Sequence, residues 1–259
     1  MTILEAVLLG LVQGATEFLP VSSSGHLAVL EHLWKLPAES RLPLTTMLHG
    51  ATALAVIFYF APLLVRLVRG LWARDPHRRG ASWRMVGFIL LASVPAGVVG
   101  VTSGDMIERA FSSPLLVGLM LLVTGGVLYG TRLSQARGQT GWMRSLLVGV
   151  AQAIAILPGI SRSGATISSG LYLGMERREA FEFSFLLAVP AITGAFLLEA
   201  RKVDLAVLRP PALAAGMVVA FLAGLGALYV LGRAVTGRKL HWFAYYCWAA
   251  GAATILFVR

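Results

Sequence analysis

Long apolar runs, separated by short polar clusters, set the pattern of this chain. A membrane-spanning helix needs about 20 mostly apolar residues. Six segments reach or approach that length: Leu44–Ala61, Met85–Val101, Pro114–Gly130, Glu182–Leu198, Ala212–Leu231 and His241–Val258. Two other apolar stretches are cut short. Ile3–Leu19 stops at Pro20 and a serine run, and Ser23–Trp34 follows. Leu146–Leu157 stops at Pro158-Gly159, and Arg162–Leu173 follows. Each pair reads as two half-length helices meeting at a break, which is a re-entrant hairpin. Broken backbone at membrane depth is tolerated only where protein buries it or it lines a water-filled cavity. The pattern predicts an all-α polytopic membrane protein with about six transmembrane helices and two re-entrant helical hairpins.

The two hairpins resemble each other. Both read Gly-x-x-Gln, then Leu-Pro, then Ser-x-Ser-Gly, and Gln13 and Gln152 lie 139 residues apart. Three spans follow each hairpin. Three is odd, so the second copy enters the membrane from the opposite side, an inverted-topology repeat within one integral membrane domain. The repeats are expected over 1–131 and 145–259.

Composition sharpens the class. Of the 259 residues, 57% are hydrophobic and 13% charged, about half the charge density of a soluble domain. The net charge of +10 suggests nucleic acid, but the basic residues sit in clusters between apolar runs, so no nucleic-acid partner is expected. Their distribution sets orientation instead. One side holds 14 Lys and Arg, including Arg66–Arg84, and the other holds 7, with Arg162 in neither. Positive residues stay inside, so 62–84 is read as a cytoplasmic loop touching anionic lipid, with both termini outside. The lone Cys247 offers no disulfide framework.

Ionisable residues within a membrane are expensive, so their positions carry information. Glu17 lies near the first break, with Gln13 one turn earlier. Ser22, Ser23, Ser24 and His26 follow Pro20, and His26 is the i+3 neighbour of Ser23. The second break carries Ser161, Arg162, Ser163 and Thr166. Half-helix N-termini and hydroxyls favour an anion, and the Arg162 fork matches phosphate geometry. An anion site alone needs neither Glu17 nor His26. Those two point to acid–base or nucleophilic work, and together the set fits phosphoryl transfer. Arg162 itself needs an anion, and Glu17 is the obvious one. His49 and Glu182 are read as partners of the hairpins. Single serines in membrane helices are as readily packing residues.

At these residues the chain resembles a known family. Gln13, Glu17 and the run Pro20–His26 resemble the (E/Q)xxxE and serine–histidine region of the undecaprenyl-diphosphate phosphatases, the bacitracin-resistance membrane proteins. Pro158–Thr166 is similar to that family's PGxSRSxxT motif, and the likeness runs the length of the chain. The resemblance implies an integral membrane hydrolase that converts a polyprenyl diphosphate to the monophosphate and inorganic phosphate. That reaction recycles the lipid carrier of bacterial envelope synthesis. It also implies a plasma (inner) membrane location, a pocket open to the outer face, and a divalent cation, Mg²⁺ or Ca²⁺, with Glu17 as a ligand. The catalytic positions carried over are Glu17, Ser23, His26 and Arg162, and the substrate-binding ones are Gln13, Ser22, Ser161, Ser163 and Thr166. Partners expected are the lipid substrate, membrane lipids and a second copy in a homodimer. In this reading Ser23 attacks phosphorus, His26 takes its proton and Glu17 orients His26 or holds the metal. The alternative is a polyprenyl-phosphate flippase, since inverted repeats with broken helices are also transporter architecture.

Overall fold

A computed structural model of the chain describes residues 2–33, 38–104, 110, 113–136, 138, 140–201 and 210–257. The described residues are helical apart from short connections. The first half comprises α1 (Ile3–Phe18), α2 (Ser23–Leu33), α3 (Ala38–Tyr59), α4 (Ala61–Leu71), α5 (Pro76–Thr102) and α6 (Pro114–Gly130). The second comprises α7 (Trp142–Ile154), α8 (Arg162–Tyr172), α9 (Arg177–Ala200), α10 (Pro210–Thr236) and α11 (Phe243–Phe257). The counted charges Lys35, Arg109, Arg137, Lys202, Arg209 and Arg259, and Val258 of the sixth expected span, lie outside the described residues.

Four helices, α5, α6, α9 and α10, are long and apolar enough to cross a bilayer; α3 with α4 makes a fifth if that bent pair is one span. The sixth expected span is described as a short turn, Leu240–Trp242, followed by the 15 residues of α11. The broken stretches form short helices: α1 and α2 have 16 and 11 residues, and α7 and α8 have 13 and 11. At 1.5 Å per residue none of these spans the roughly 30 Å hydrocarbon core. Large exposed hydrophobics such as Leu54, Phe58, Leu90, Val94 and Leu222 face outward, as a lipid-facing surface requires.

One segment differs from expectation. The stretch read as a cytoplasmic loop, 62–84, is almost wholly helical. Pro62 sits in the first turn of α4, where its missing N–H and fixed φ are tolerated, and the chain bends by 66° at Phe60. No residue of α4 is buried; Arg66 and Arg69 alternate there with exposed Val65 and Val68. That is an interfacial helix, whose charges hid it within a basic loop. Asp75 then caps α5 by accepting from the His77 N–H at 3.0 Å.

The halves interlock. The chief partner of α1 is α10, and that of α7 is α5, so each hairpin packs on the middle span of the opposite half. Likewise α6 packs along α11, and α3 along α9 and α10. Glycine makes both hairpin contacts close. A Cβ on Gly10 would strike the Gly216 carbonyl, and one on Gly149 the Ala92 carbonyl. These are the glycines of the two Gly-x-x-Gln runs, so the motif's first position serves helix packing. Between the halves lies an aromatic cluster. Phe185 stacks on Phe60 at 5.2 Å and meets Phe18 and Phe181 edge-on at 5.8 and 5.1 Å.

Candidate active site

The hairpin tips meet in the interior, and the turns that build them differ. After α1, Pro20 ends the helix and Ser22 takes a left-handed φ of 67°. That conformation is unfavourable for a side chain with a Cβ. The Ser22 hydroxyl then accepts from the Gly25 N–H at 3.4 Å, capping α2. In the second hairpin the positive φ falls on glycine: Gly159 has φ 93° and packs against the Val117 carbonyl, where a Cβ has no room. Thr124 of α6 fastens this turn, donating to the Gly159 carbonyl at 3.0 Å and accepting from the Ser161 N–H at 3.3 Å. Ser161 caps α8 by accepting from the Gly164 N–H at 3.2 Å.

Glu17 is the hub, with a side chain 8% exposed. One oxygen, Oε1, takes Arg162 Nη2 at 3.1 Å. The other, Oε2, accepts the Ser23 hydroxyl at 2.7 Å and Gln13 Nε2 at 3.1 Å, and His49 Nε2 stands 3.7 Å away. The pairing of Arg162 with Glu17 joins residues 145 apart in sequence. It leaves the buried Arg162 Nη1 without a protein hydrogen bond. The rest of the guanidinium reaches the surface of the site: the Arg162 side chain is 19% exposed and lines the site's cavity.

These groups line a cavity of about 320 Å³. Its walls include Glu17, Ser22–Ser24, His49, Ser161 and Arg162, with Ala191, Ile192, Ala195, Phe196 and Glu199 along the C-terminal half of α9. The cavity therefore runs from the hairpin tips toward the end where α1 begins and α9 finishes. Glu199 stands on that wall and accepts from the Thr46 hydroxyl at 3.4 Å.

Several expected roles separate here. Ser23 does not pair with His26. The Nδ1 of His26 lies 2.8 Å from the Ser22 carbonyl oxygen, and Nε2 lies 2.6 Å from the Tyr246 hydroxyl on α11, with the two rings stacked. Ser23 opens α2 with its hydroxyl on Glu17, while His26, one turn on, is held by the Ser22 carbonyl and Tyr246. Gln13, Ser163 and Thr166 are buried behind the cavity rather than lining it. Ser163 pairs with the Ser161 hydroxyl at 3.2 Å. Thr166 donates to the Arg162 carbonyl at 2.8 Å and shares a 2.5 Å contact with Ser184. These three hold the residues that do line it. Glu182 is not a hairpin partner: it receives Arg178 Nε at 2.8 Å, at the opposite end of α9. The sequence reading passed over Glu199, Thr124 and Tyr246. Thr124 carries one signal, an aliphatic hydroxyl in the middle of an apolar run.

No group of three or more His, Cys, Asp or Glu able to hold a metal occurs among the described residues. Glu17, whose oxygens already accept three hydrogen bonds, is the sole carboxylate at the hairpin tips. The residues present do not by themselves form a cation cage.

Fold and site define a class: a helical membrane protein in which two re-entrant hairpins enclose a carboxylate–serine–arginine centre suited to a phosphorylated group. Comparison with known proteins narrows it. Residues 6–253 match the family described as bacitracin resistance protein BacA, and the chain belongs to that family. It is 40% identical to an undecaprenyl-diphosphatase of Desulfatibacillum aliphaticivorans, over 98% of both chains. It is 38% identical to one of Alkaliphilus metalliredigens over 99% of both, and 40% identical to one of Syntrophotalea carbinolica over 97% of both.

Proposed function

We propose that this chain hydrolyses undecaprenyl diphosphate to the monophosphate and inorganic phosphate, with Ser23 as nucleophile and Glu17 as its base. The observation that carries this reading is the Ser23 hydroxyl donating to Glu17 at 2.7 Å, beside Arg162 on the wall of the same cavity. Ser23 Oγ forms a bond to the terminal phosphorus as the bridging P–O bond breaks, and the lipid monophosphate leaves. The hydroxyl proton passes to Glu17 Oε2. Water then cleaves the phosphoserine, and the proton returns to Ser23. Arg162, on the cavity wall, and the α2 and α8 N-termini supply positive charge to the transferring group, which is where such a reaction needs the protein. In this scheme Glu17 takes the role that spacing gave to His26. His26 instead holds the strained Ser22 turn through its carbonyl, and Gln13, Ser163 and Thr166 brace the centre.

The prenyl chain has a route. An apolar groove of about 430 Å³ between α6, α7 and α8 shares Ile160 with the polar cavity, so a lipid can keep its phosphates in one and its first isoprene units in the other. A divalent cation, Mg²⁺ or Ca²⁺, would have to come with the diphosphate, since Glu17 would be its one carboxylate at the hairpin tips and already accepts three hydrogen bonds. When bound it neutralises phosphate charge. The charge bias supports a plasma-membrane orientation with the cavity open outward. A flippase would need a path between the two ends, and Phe18, Phe60, Phe181 and Phe185 pack across it.

Phosphate release from undecaprenyl diphosphate by the purified protein, with Mg²⁺, with Ca²⁺ and with chelator, tests the reading. Release that Ser23→Ala and Glu17→Gln abolish and His26→Ala only slows supports it. Full activity in Ser23→Ala overturns the serine mechanism, and no release by folded wild-type protein overturns the hydrolase.

A further inference from the structure

At the end of the molecule opposite the catalytic cavity lies a recess of about 400 Å³ that the phosphatase reading does not use. It is walled by the end of α3, the start of α4, the start of α9 and the end of α10. Phe60 and Phe181 of the aromatic cluster form its floor, so the cluster separates it from Glu17. Three arginines from three different helices converge on it: Arg66, Arg178 and Arg233. One carboxylate answers them, Glu182, and it is taken by Arg178 at 2.8 Å. Arg66 spends only its Nε, on the Pro62 carbonyl at 3.3 Å. The Arg233 side chain has no hydrogen bond or ion pair among the described residues. Two guanidinium groups therefore face a concave site without an anion.

The geometry points to a second ligand site here, for the phosphate of an anionic membrane lipid. The ligand is an anion because two arginines stand uncompensated across a cavity, and planar forked donors match phosphate oxygens. It is a lipid because the recess is amphipathic: arginines and the Tyr59 and Tyr229 rings stand above an apolar floor of Phe60, Leu63 and Phe181. Free phosphate has no use for that floor. The depth agrees. The recess opens beside α4, whose exposed Val65 and Val68, with the exposed Trp72 just after it, place it at the headgroup level. This site needs nothing from the proposed hydrolysis, and Arg66 and Arg233 lie outside the catalytic centre.

The test is native mass spectrometry of the full-length protein taken from mixed phosphatidylglycerol and phosphatidylethanolamine bilayers. Wild type is expected to retain one phosphatidylglycerol in preference to phosphatidylethanolamine. Each interfacial arginine contributes about fivefold to such binding, so R66Q/R233Q should weaken it roughly 25-fold. Thr236→Trp, which fills the recess without changing charge, should weaken it too. R79Q/R84Q removes two arginines of α5 that do not line the recess and should leave it unchanged; a melting curve of each variant reports its folding. Equal retention of both lipids by wild type overturns the site. So does a loss in R79Q/R84Q matching that in R66Q/R233Q, which would mean a diffuse field. Complete displacement of the lipid by millimolar inorganic phosphate reassigns the recess to free phosphate and overturns the lipid.

Discussion

Glu17 holds three donors and stands near a fourth, and this concentration of partners makes its neighbours unequal. Arg162→Ala removes the guanidinium paired with the buried Glu17 carboxylate and, with it, the arginine of the cavity wall. Breaking a buried pair from one side destabilises by about 3–5 kcal/mol, and losing a preorganised donor slows a reaction about 10²–10³-fold. Both effects are expected, in a melting curve and in turnover. Ser23→Ala leaves Glu17 with Arg162 and Gln13 and should remove turnover at nearly unchanged melting temperature. His26→Ala and Tyr246→Phe act through the Ser22 turn. Each should lower kcat by about tenfold, the share of one hydrogen bond, while leaving the pH profile in place. A base at His26 would instead remove the profile's limb. The residues Glu17, Ser23 and Arg162 were legible because a polar group in an apolar run must have a reason. Ser23 and His26 are i and i+3 on α2 without pairing, because that spacing permits contact but does not require it: Ser23 takes Glu17, and His26 takes the Ser22 carbonyl and Tyr246.

Among the elements, the two hairpins depend on glycine where they cross the opposite half. Gly149→Ala forces a methyl into the Ala92 carbonyl, and Gly10→Ala forces one into Gly216. Overpacking of this kind destabilises by about 1–3 kcal/mol. Gly126→Ala, whose methyl would meet nothing, should be neutral or mildly stabilising in the same melting measurement. The long apolar runs located α5, α6, α9 and α10 because burial in lipid leaves no alternative to a helix. α6 begins at Pro114 as expected and α10 at Pro210, two residues before Ala212, but the other two starts were not legible. α5 begins at Pro76 rather than Met85, and α9 at Arg177 rather than Glu182, because first turns at the membrane surface are polar. α4 was missed for the same reason, since two arginines on an amphipathic helix look like loop charge.

For the whole molecule, orientation and assembly are open to direct measurement. Arg78→Cys, at the basic end, should react with an impermeant thiol reagent only from the cytoplasmic side, and Thr102→Cys only from outside. Labelling of both from one side would refute a crossing by α5. The native Cys247 does not interfere, since it is buried with its thiol on the Pro20 carbonyl at 3.3 Å. The interlock between halves has a further consequence, for biogenesis. Glu17 leaves the ribosome 145 residues before Arg162, and α10, on which α1 rests, follows later still. At about 5–20 residues per second the first hairpin waits roughly 7–30 s for its counter-ion. During that interval it holds a carboxylate with no cation and a glycine face with no partner, so it cannot settle at its final depth. The N-terminal hairpin must remain at the water-facing surface or in the shelter of the insertion machinery until the second half arrives. The centre of this protein is thus closed from behind, by the half of the chain that is made second.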